Sequence, residues 1–168
     1  MIIVEHGKGD NPEANSYADT EALRFHGDYY GFPVPLDESS RVEYLLKAAR
    51  AMGAMQWKGR PASHRQPLAW PRNEIVIAGE FLSKTLIPYG IRHGQTMLAI
   101  ELYAADQGIE LQAPTHSFDG KKRVPLTRST ADHRNHPPLW VESRTQFVDY
   151  LLMRGLRVVG YSGERWTE

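Results

Sequence analysis

The chain has 168 residues, enough for one domain with a sizeable hydrophobic core, and its 20 acidic and 20 basic residues give no net formal charge. This balance argues against a protein that coats nucleic-acid phosphates, because that function needs a basic excess. The absence of cysteine excludes disulfides, thiolate catalysis and zinc–thiolate sites.

Charge is nevertheless segregated along the chain. Residues 1–43 carry nine acidic side chains and three basic ones, whereas residues 44–73 carry six basic side chains and no acidic one. This asymmetry suits either pairing inside one fold or head-to-tail contact between copies of the chain. No leader-like pattern and no apolar run of about 18 residues is visible, so we expect a soluble protein made in the cytoplasm.

Two helices are predicted in the first third of the chain. Asp19 can cap a helix of about ten residues that ends within residues 27–31. Either Asp37 or Ser40 can cap a second helix, which carries an apolar stripe at helical spacing and ends at Gly53. The core-facing stripe consists of Val42, Leu45, Leu46, Ala49 and Met52.

A loop bracketed by two tryptophans follows, over residues 57–72. It contains several basic residues, no acidic residue and three prolines, which rule out a helix or a central strand through it. Its indole and guanidinium groups suit a nucleic-acid strand or a protein neighbour, although buried tryptophans that pin the loop to the helices are the commoner arrangement. The expected loop anchors are Trp57, Arg60, Trp70 and Arg72.

A short hairpin and a third helix are predicted next. Residues 75–77 and 80–82 flank an Ala-Gly pair and could pair as strands. Pro88 suits the first residue of a helix that runs to about Asp106, and two glycines in this helix permit close approach of another backbone. The expected buried face of this helix consists of Ile91, Leu98, Leu102 and Ala105.

The remaining third of the chain is predicted to form an arm, a fourth helix and a tail. Residues 109–138 lack helical periodicity and are rich in turn residues, which indicates a long β-arm. A helix over 139–154 and an extended tail over 156–168 complete the chain. We therefore expect one domain, 1–168, of mainly α class: a bundle of about four helices, with its body over 15–106 and 139–154, a protruding β-arm and the tail.

Two clusters in this region are candidates for binding. A solvated turn explains the basic cluster of the arm about as well as contact with DNA does. Aromatic side chains in a terminal tail have little core to join, which suits insertion into a partner. The candidate DNA contacts are Lys121, Lys122 and Arg123, and the candidate partner contacts are Tyr161, Arg165 and Trp166.

The sequence offers no catalytic constellation. It contains no nucleophile elbow, no glycine-rich phosphate loop and no zinc-protease motif. His133 and His136 lie close together, but their polar loop setting favours ordinary surface histidines over metal ligands. We therefore expect no enzymatic activity, no metal and no cofactor.

The order of several short motifs resembles a known protein family. Over about residues 1–106 the chain is similar to the small head-to-tail connector, or adaptor, proteins of tailed bacteriophages, whose relatives are often labelled "putative DnaT-like ssDNA-binding protein". The motifs are the opening Met1-Ile2-Ile3-Val4-Glu5, then Ala14-Asn15-Ser16-Tyr17, Trp57-Lys58-Gly59-Arg60 and Leu68-Ala69-Trp70-Pro71-Arg72, ahead of the Pro88 helix.

The resemblance implies a virion structural protein at the head–tail junction, the neck of the particle. Such a subunit is mostly helical with a protruding β-arm and forms a ring, commonly of twelve copies. The ring binds the portal protein and the next tail component, and it extends the channel through which double-stranded DNA passes. No membrane is involved.

A second interpretation of the same residues remains open. The chain could be a single-stranded-DNA-binding or replication accessory module, in which Trp57, Trp70 and the intervening arginines form a groove where bases stack.

Overall fold

Three long helices, one short helix and three two-stranded antiparallel pairs make up the computed structural model, which describes residues 1–111, 116–118, 123–125 and 142–152. The fold is mixed, with helices and short strand pairs, rather than the mainly α bundle of about four helices that the sequence predicts. The helices are α1 (Thr20–Tyr30), α2 (Glu38–Gly53), α3 (Tyr89–Asp106) and α4 (Glu142–Phe147). The strands pair as β1 (Arg60–Pro61) with β2 (Arg72–Asn73), β3 (Val76–Ile77) with β4 (Glu80–Phe81), and β5 (His116–Phe118) with β6 (Arg123–Pro125).

Side-chain caps fix the first two helices where the sequence predicts them. The Asp19 carboxylate accepts a hydrogen bond from the Ala22 N–H, and α1 ends at Gly31 in the left-handed region, at φ 72°. The Asp37 carboxylate accepts from the Ser40 N–H and so caps α2. The alternative cap at Ser40 is wrong, because this residue lies inside the first turn of the helix.

The core consists of two clusters of buried side chains that meet along α3. The first cluster fills the space between α1, α2 and α3, and the second surrounds the tryptophan-bracketed loop. The first contains Ala18, Leu23, Tyr44, Leu45, Ala48, Met97, Ala99, Ile100, Ala104 and Leu111. The second contains Tyr17, Met52, Trp57, Trp70, Ile75, Ile87, Ile91, Phe147 and Leu151.

The predicted stripe of α2 is largely correct, because three of its members are buried and the other two, Val42 and Leu46, are half-buried. The predicted face of α3 is less accurate. Ile91 is buried and Leu98 is half-buried, but Ala105 is exposed. The reason is that α3 is central and packs against α1, α2 and α4, so burial extends around most of its circumference.

The glycines of α3 allow α4 to approach closely, as the sequence predicts. A Cβ atom built on Gly90 would lie 2.7 Å from the Gln146 carbonyl oxygen, and one built on Gly94 would overlap the Phe147 ring. At the other end of α4, the Ser143 hydroxyl donates to the Glu101 carboxylate at 2.6 Å. These contacts hold the short helix against α3.

The fourth helix is shorter than predicted. After Phe147 the chain makes a 3-10 turn, Val148–Tyr150, and then pairs with the start of the tryptophan-bracketed loop. The Lys58 N–H donates to the Tyr150 carbonyl and the Leu152 N–H to the Gln56 carbonyl, each at 2.8 Å. These backbone bonds replace the helical bonds that a longer α4 would have made. Residues 139–141 and 153–154 of the prediction lie outside the described residues.

The two predicted hairpins are present as strand pairs. The β3–β4 turn consists of Ala78 and Gly79, both with positive φ, which is the pattern of a two-residue hairpin turn. In the predicted arm, β5 pairs with β6 so that Phe118 lies opposite Arg123.

Of the helices that the structure describes, none combines the length and the apolar character that a membrane span requires.

Candidate functional site

The two tryptophans of residues 57–72 lie in the core. Trp70 is fully buried and Trp57 nearly so, and their rings meet edge to face at 5.9 Å. The Trp57 indole N–H donates to the Met52 carbonyl at the end of α2, at 2.8 Å, and its ring contacts Phe147. Because neither indole presents an open face, neither residue can stack on a nucleobase in this conformation.

The arginines of the same loop are also engaged inside the subunit. The Arg72 guanidinium is buried and donates to three backbone carbonyls, those of Lys58, Gly59 and Ala69, at 2.7–3.0 Å. Desolvation lowers the pKa of Arg72 from its ordinary value, but an arginine guanidinium stays protonated in proteins. Arg60 is exposed but forms a two-pronged ion pair with Glu74 across the β1–β2 pair.

One hydrogen bond joins the two motifs on which the family resemblance depends. The Trp70 backbone N–H donates to the Tyr17 hydroxyl oxygen at 3.0 Å, and both residues are buried. Burial raises the pKa of Tyr17 well above its usual range, so the phenol stays neutral. The Asn-Ser-Tyr turn therefore holds the Trp-Pro-Arg turn in place.

A single amide side chain organises the centre of the molecule. The Gln95 side chain on α3 accepts from the backbone N–H groups of Tyr17 and Ala18, and it donates to the Ser16 hydroxyl and the Leu45 carbonyl, all at 2.7–3.0 Å. Gln95 has no exposed surface, and these four bonds satisfy its amide completely. They tie the N-terminal turn to α2 and α3.

The glycine turn near the N-terminus is built around a buried carboxylate. Glu5 accepts hydrogen bonds from the backbone N–H groups of Gly7 and Gly9, at 2.8 and 3.2 Å. Gly7 has φ 122° and lies against the Thr85 carbonyl, so no other residue fits there without a shift of the backbone. This motif is also structural.

The other predicted contact residues cannot be placed by the structure. Arg123 begins β6, and only its backbone is described. Within the ranges that the structure covers, no group of three or more histidine, aspartate and glutamate side chains could hold a metal ion. The other candidate residues of the sequence analysis lie outside the described part of the chain, namely Lys121, Lys122, His133, His136, Tyr161, Arg165 and Trp166.

The structure reveals one exposed apolar surface on the β3–β4 hairpin, which we call the hairpin face. Val76 and Phe81 lie opposite each other in the antiparallel register and so share one side of the hairpin. Phe81 is 81% exposed and Val76 is 44% exposed. The sequence predicts the hairpin but not that no element among the described residues covers this side.

A second exposed surface, which we call the aromatic surface, lies where α1 meets the start of α3. It consists of Phe25 and Tyr29 on α1 with Tyr89 and Arg92 on α3, and Phe25 and Tyr89 are 60% and 64% exposed. Each ring pair is nearly parallel: Phe25 with Tyr29 at 5.9 Å and 21°, and Tyr89 with His93 at 5.2 Å and 12°. The i, i+4 spacing of each pair is visible in the sequence, but which side of each helix is exposed is not.

A neutral histidine pair forms the floor of the aromatic surface. The Thr96 hydroxyl donates a hydrogen bond to the His93 carbonyl, so the Thr96 oxygen must accept one from the protonated Nδ1 of His26. The unprotonated Nε2 of His26 in turn accepts a hydrogen bond from His93 Nδ1. Burial lowers the pKa of both histidines, and the nearby His26 helps to bring that of His93 to about 4. Both imidazoles are therefore uncharged at neutral pH.

The chain matches a known protein family. Residues 1–161 match the family described as "Putative DnaT-like ssDNA binding protein". Searches of curated proteins and of solved structures find no match. Since the match spans nearly the whole sequence, the chain belongs to this family.

Proposed function

We propose that the protein is a structural subunit of a phage head-to-tail connector, which assembles with copies of itself and binds a portal and a tail component in the virion neck. Two features support this proposal: the motif order within residues 1–106 and the distribution of charge in the folded chain. The protein would act by surface contact rather than by catalysis.

The pattern of ion pairs is the observation that carries the proposal. Among the ion pairs formed by described residues, one joins the acidic segment 1–43 to the basic segment 44–73. This is the pair of Glu43 with Lys47, which lies within α2. Apart from this pair, no ion pair among the described residues joins the charges of the two segments. These opposite charges suit a heterologous contact between neighbouring copies, which closes into a ring when the rotation permits.

The hairpin face supplies apolar area for the same contact. A two-stranded hairpin is only marginally stable in water, and an exposed apolar edge favours pairing with another chain. Complete burial of the largely exposed Phe81 would contribute roughly 1.5–3 kcal/mol, and Val76, which is already more than half buried, would contribute less. The occupant that we propose for this face is a neighbouring copy of the chain.

Electron microscopy of the full chain mixed with its cognate portal ring tests the proposal. The wild-type chain is expected to add a ring of density to the portal. Phe81→Ala removes the apolar contact. The double variant Arg50→Glu/Arg65→Glu reverses two exposed charges of the basic segment. Both variants should therefore fail to add the ring of density. Phe25→Ala, on the aromatic surface, should retain it. Failure of the wild-type chain to associate with the portal or with itself would contradict the proposal.

Single-stranded-DNA binding is the second candidate function, and the family description is what favours it. The groove predicted at Trp57 and Trp70 is not available for it, since both indoles are buried. A strand would have to contact exposed rings elsewhere. Fluorescence anisotropy of a labelled oligothymidylate at low salt tests this candidate, and a chain that leaves the anisotropy unchanged would exclude it.

A further inference from the structure

We propose that the aromatic surface on α1 and α3 is a stacking site for the bases of single-stranded DNA. This inference rests on the second candidate function and gives it a location different from the one that the sequence predicts. Its elements are two exposed rings, Phe25 and Tyr89, and the exposed Arg92, which follows Tyr89 by three residues on α3.

The ring geometry suits bases because each exposed ring already belongs to a nearly parallel pair. Tyr89 covers His93 with one face, and Phe25 lies against Tyr29, so their opposite sides can extend each stack by one base. The rings form one continuous set, since Phe25 contacts His26 at 5.7 Å and His26 contacts His93 at 4.4 Å. Single-strand-binding proteins use exposed aromatic rings in this way without strong sequence preference.

The rings are held in place from below. The hydrogen-bonded chain from Thr96 through His26 to His93 fixes both imidazoles between α1 and α3. Burial raises the pKa of Tyr89, and the proximity of Tyr29 adds to this effect, so the Tyr89 phenol stays neutral. A rigid, uncharged floor keeps the stacking faces in position at neutral pH.

The charges around the surface determine how a strand would bind. Arg92 lies three residues after Tyr89, on the same side of α3, and makes no ion pair with any residue in the described part of the chain. On α1, Arg24 is shared by Glu21 and Asp28, which leaves one net negative charge. A strand therefore gains mainly from stacking, with one phosphate contact at Arg92, and a duplex, whose bases are already stacked, would gain little.

Binding of a labelled oligothymidylate of about 16 nucleotides, the upper site size of a single-strand module, tests the inference by anisotropy. Phe25→Ala or Tyr89→Ala should each weaken the affinity of the full chain about 5- to 150-fold, whereas Tyr89→Phe keeps the ring and should bind like the wild type. Leu36→Ala, which shortens an exposed apolar side chain outside both surfaces, is the matched control and should also bind normally. One phosphate contact predicts a shallow slope of log affinity against log salt, about −0.7, which Arg92→Gln should abolish.

The outcomes separate the site from the function. If the wild-type chain binds and Phe25→Ala and Tyr89→Ala bind equally well, the site is wrong and single-strand binding stands. If the wild-type chain does not bind, both are wrong. A third outcome is that Phe25→Ala and Tyr89→Ala bind oligothymidylate normally but no longer associate with the portal. This result would reassign the aromatic surface to a protein partner and overturn the inference.

Discussion

Tyr17 links two segments that lie more than fifty residues apart in the sequence, because its hydroxyl accepts the backbone N–H of Trp70. The bond is buried, so no water can replace it. This contact gives a physical reason why an Asn-Ser-Tyr turn and a Trp-Pro-Arg turn occur in one chain: the Tyr17 hydroxyl of the first satisfies the buried Trp70 N–H of the second.

Replacement of Tyr17 by Phe tests this link. The variant keeps the ring but leaves the buried Trp70 N–H without an acceptor, which should lower the free energy of unfolding by about 1–3 kcal/mol. Urea denaturation measures the change. Tyr89→Phe removes a hydroxyl from an exposed ring and should alter the free energy by less than about 0.5 kcal/mol. Equal effects of the two substitutions would mean that the Tyr17 hydroxyl does not stabilise the fold.

The histidine pair makes a prediction for the pH dependence of stability. The pKa of folded His93 is about 4, whereas an unfolded histidine titrates near 6.5. Between these values the unfolded chain binds a proton that the folded chain does not, so stability should fall as the pH drops from about 6.5 to about 4. Asp37, whose pKa is lowered to about 2 by its hydrogen bonds to Ser39 and Ser40, adds to the loss only at lower pH.

Thermal unfolding across this pH range provides the measurement. The variant His93→Gln should be less stable at pH 7 but should lose less stability between pH 6.5 and 4 than the wild type does. Parallel curves for the two proteins would show that His93 is not the group that titrates.

At the element scale, patterns that depend on neighbouring residues are predictable from the sequence. The caps at Asp19 and Asp37 and the β3–β4 turn appear as expected, because each depends on a few consecutive residues. The end of α4 is not predictable, since backbone bonds to Gln56 and Lys58 stop it, and these residues lie far away in the sequence. Likewise, no local pattern indicates that Gln95 lies at the centre of the core.

The packing of α4 on α3 depends on the missing side chain of Gly94. In the variant Gly94→Ala the added methyl group would overlap Phe147, whose ring must move in a fully packed cluster. We expect the free energy of unfolding to fall by about 1–3 kcal/mol in chemical denaturation.

Gly53→Ala is the matched control for this prediction. Gly53 ends α2, and a Cβ atom there would meet no atom within 4 Å. Its substitution should be neutral or stabilise the protein by up to about 1 kcal/mol, through helix propensity alone. A Gly94→Ala variant as stable as Gly53→Ala would contradict the close approach of α4.

On the scale of the whole molecule, the sequence identifies the important loop and leaves two roles open for it, a binding groove and an anchor pinned by buried tryptophans, of which the structure has the second. The composition of residues 57–72 suits a binding groove, and only the tertiary structure turns its indoles and Arg72 inward. The hairpin face and the aromatic surface are two surfaces of the described residues that stay exposed. Neither is predictable from the sequence, because exposure depends on what the rest of the chain covers.

The burial of Trp57 and Trp70 is the central claim about the molecule. Fluorescence of the double variant Trp140→Phe/Trp166→Phe tests it most directly, because Trp57 and Trp70 are then the only tryptophans in the chain. We predict blue-shifted emission, weak quenching by acrylamide and no change when oligothymidylate is added. Red-shifted emission that acrylamide and oligothymidylate both quench would contradict the claim and restore the loop as a binding groove.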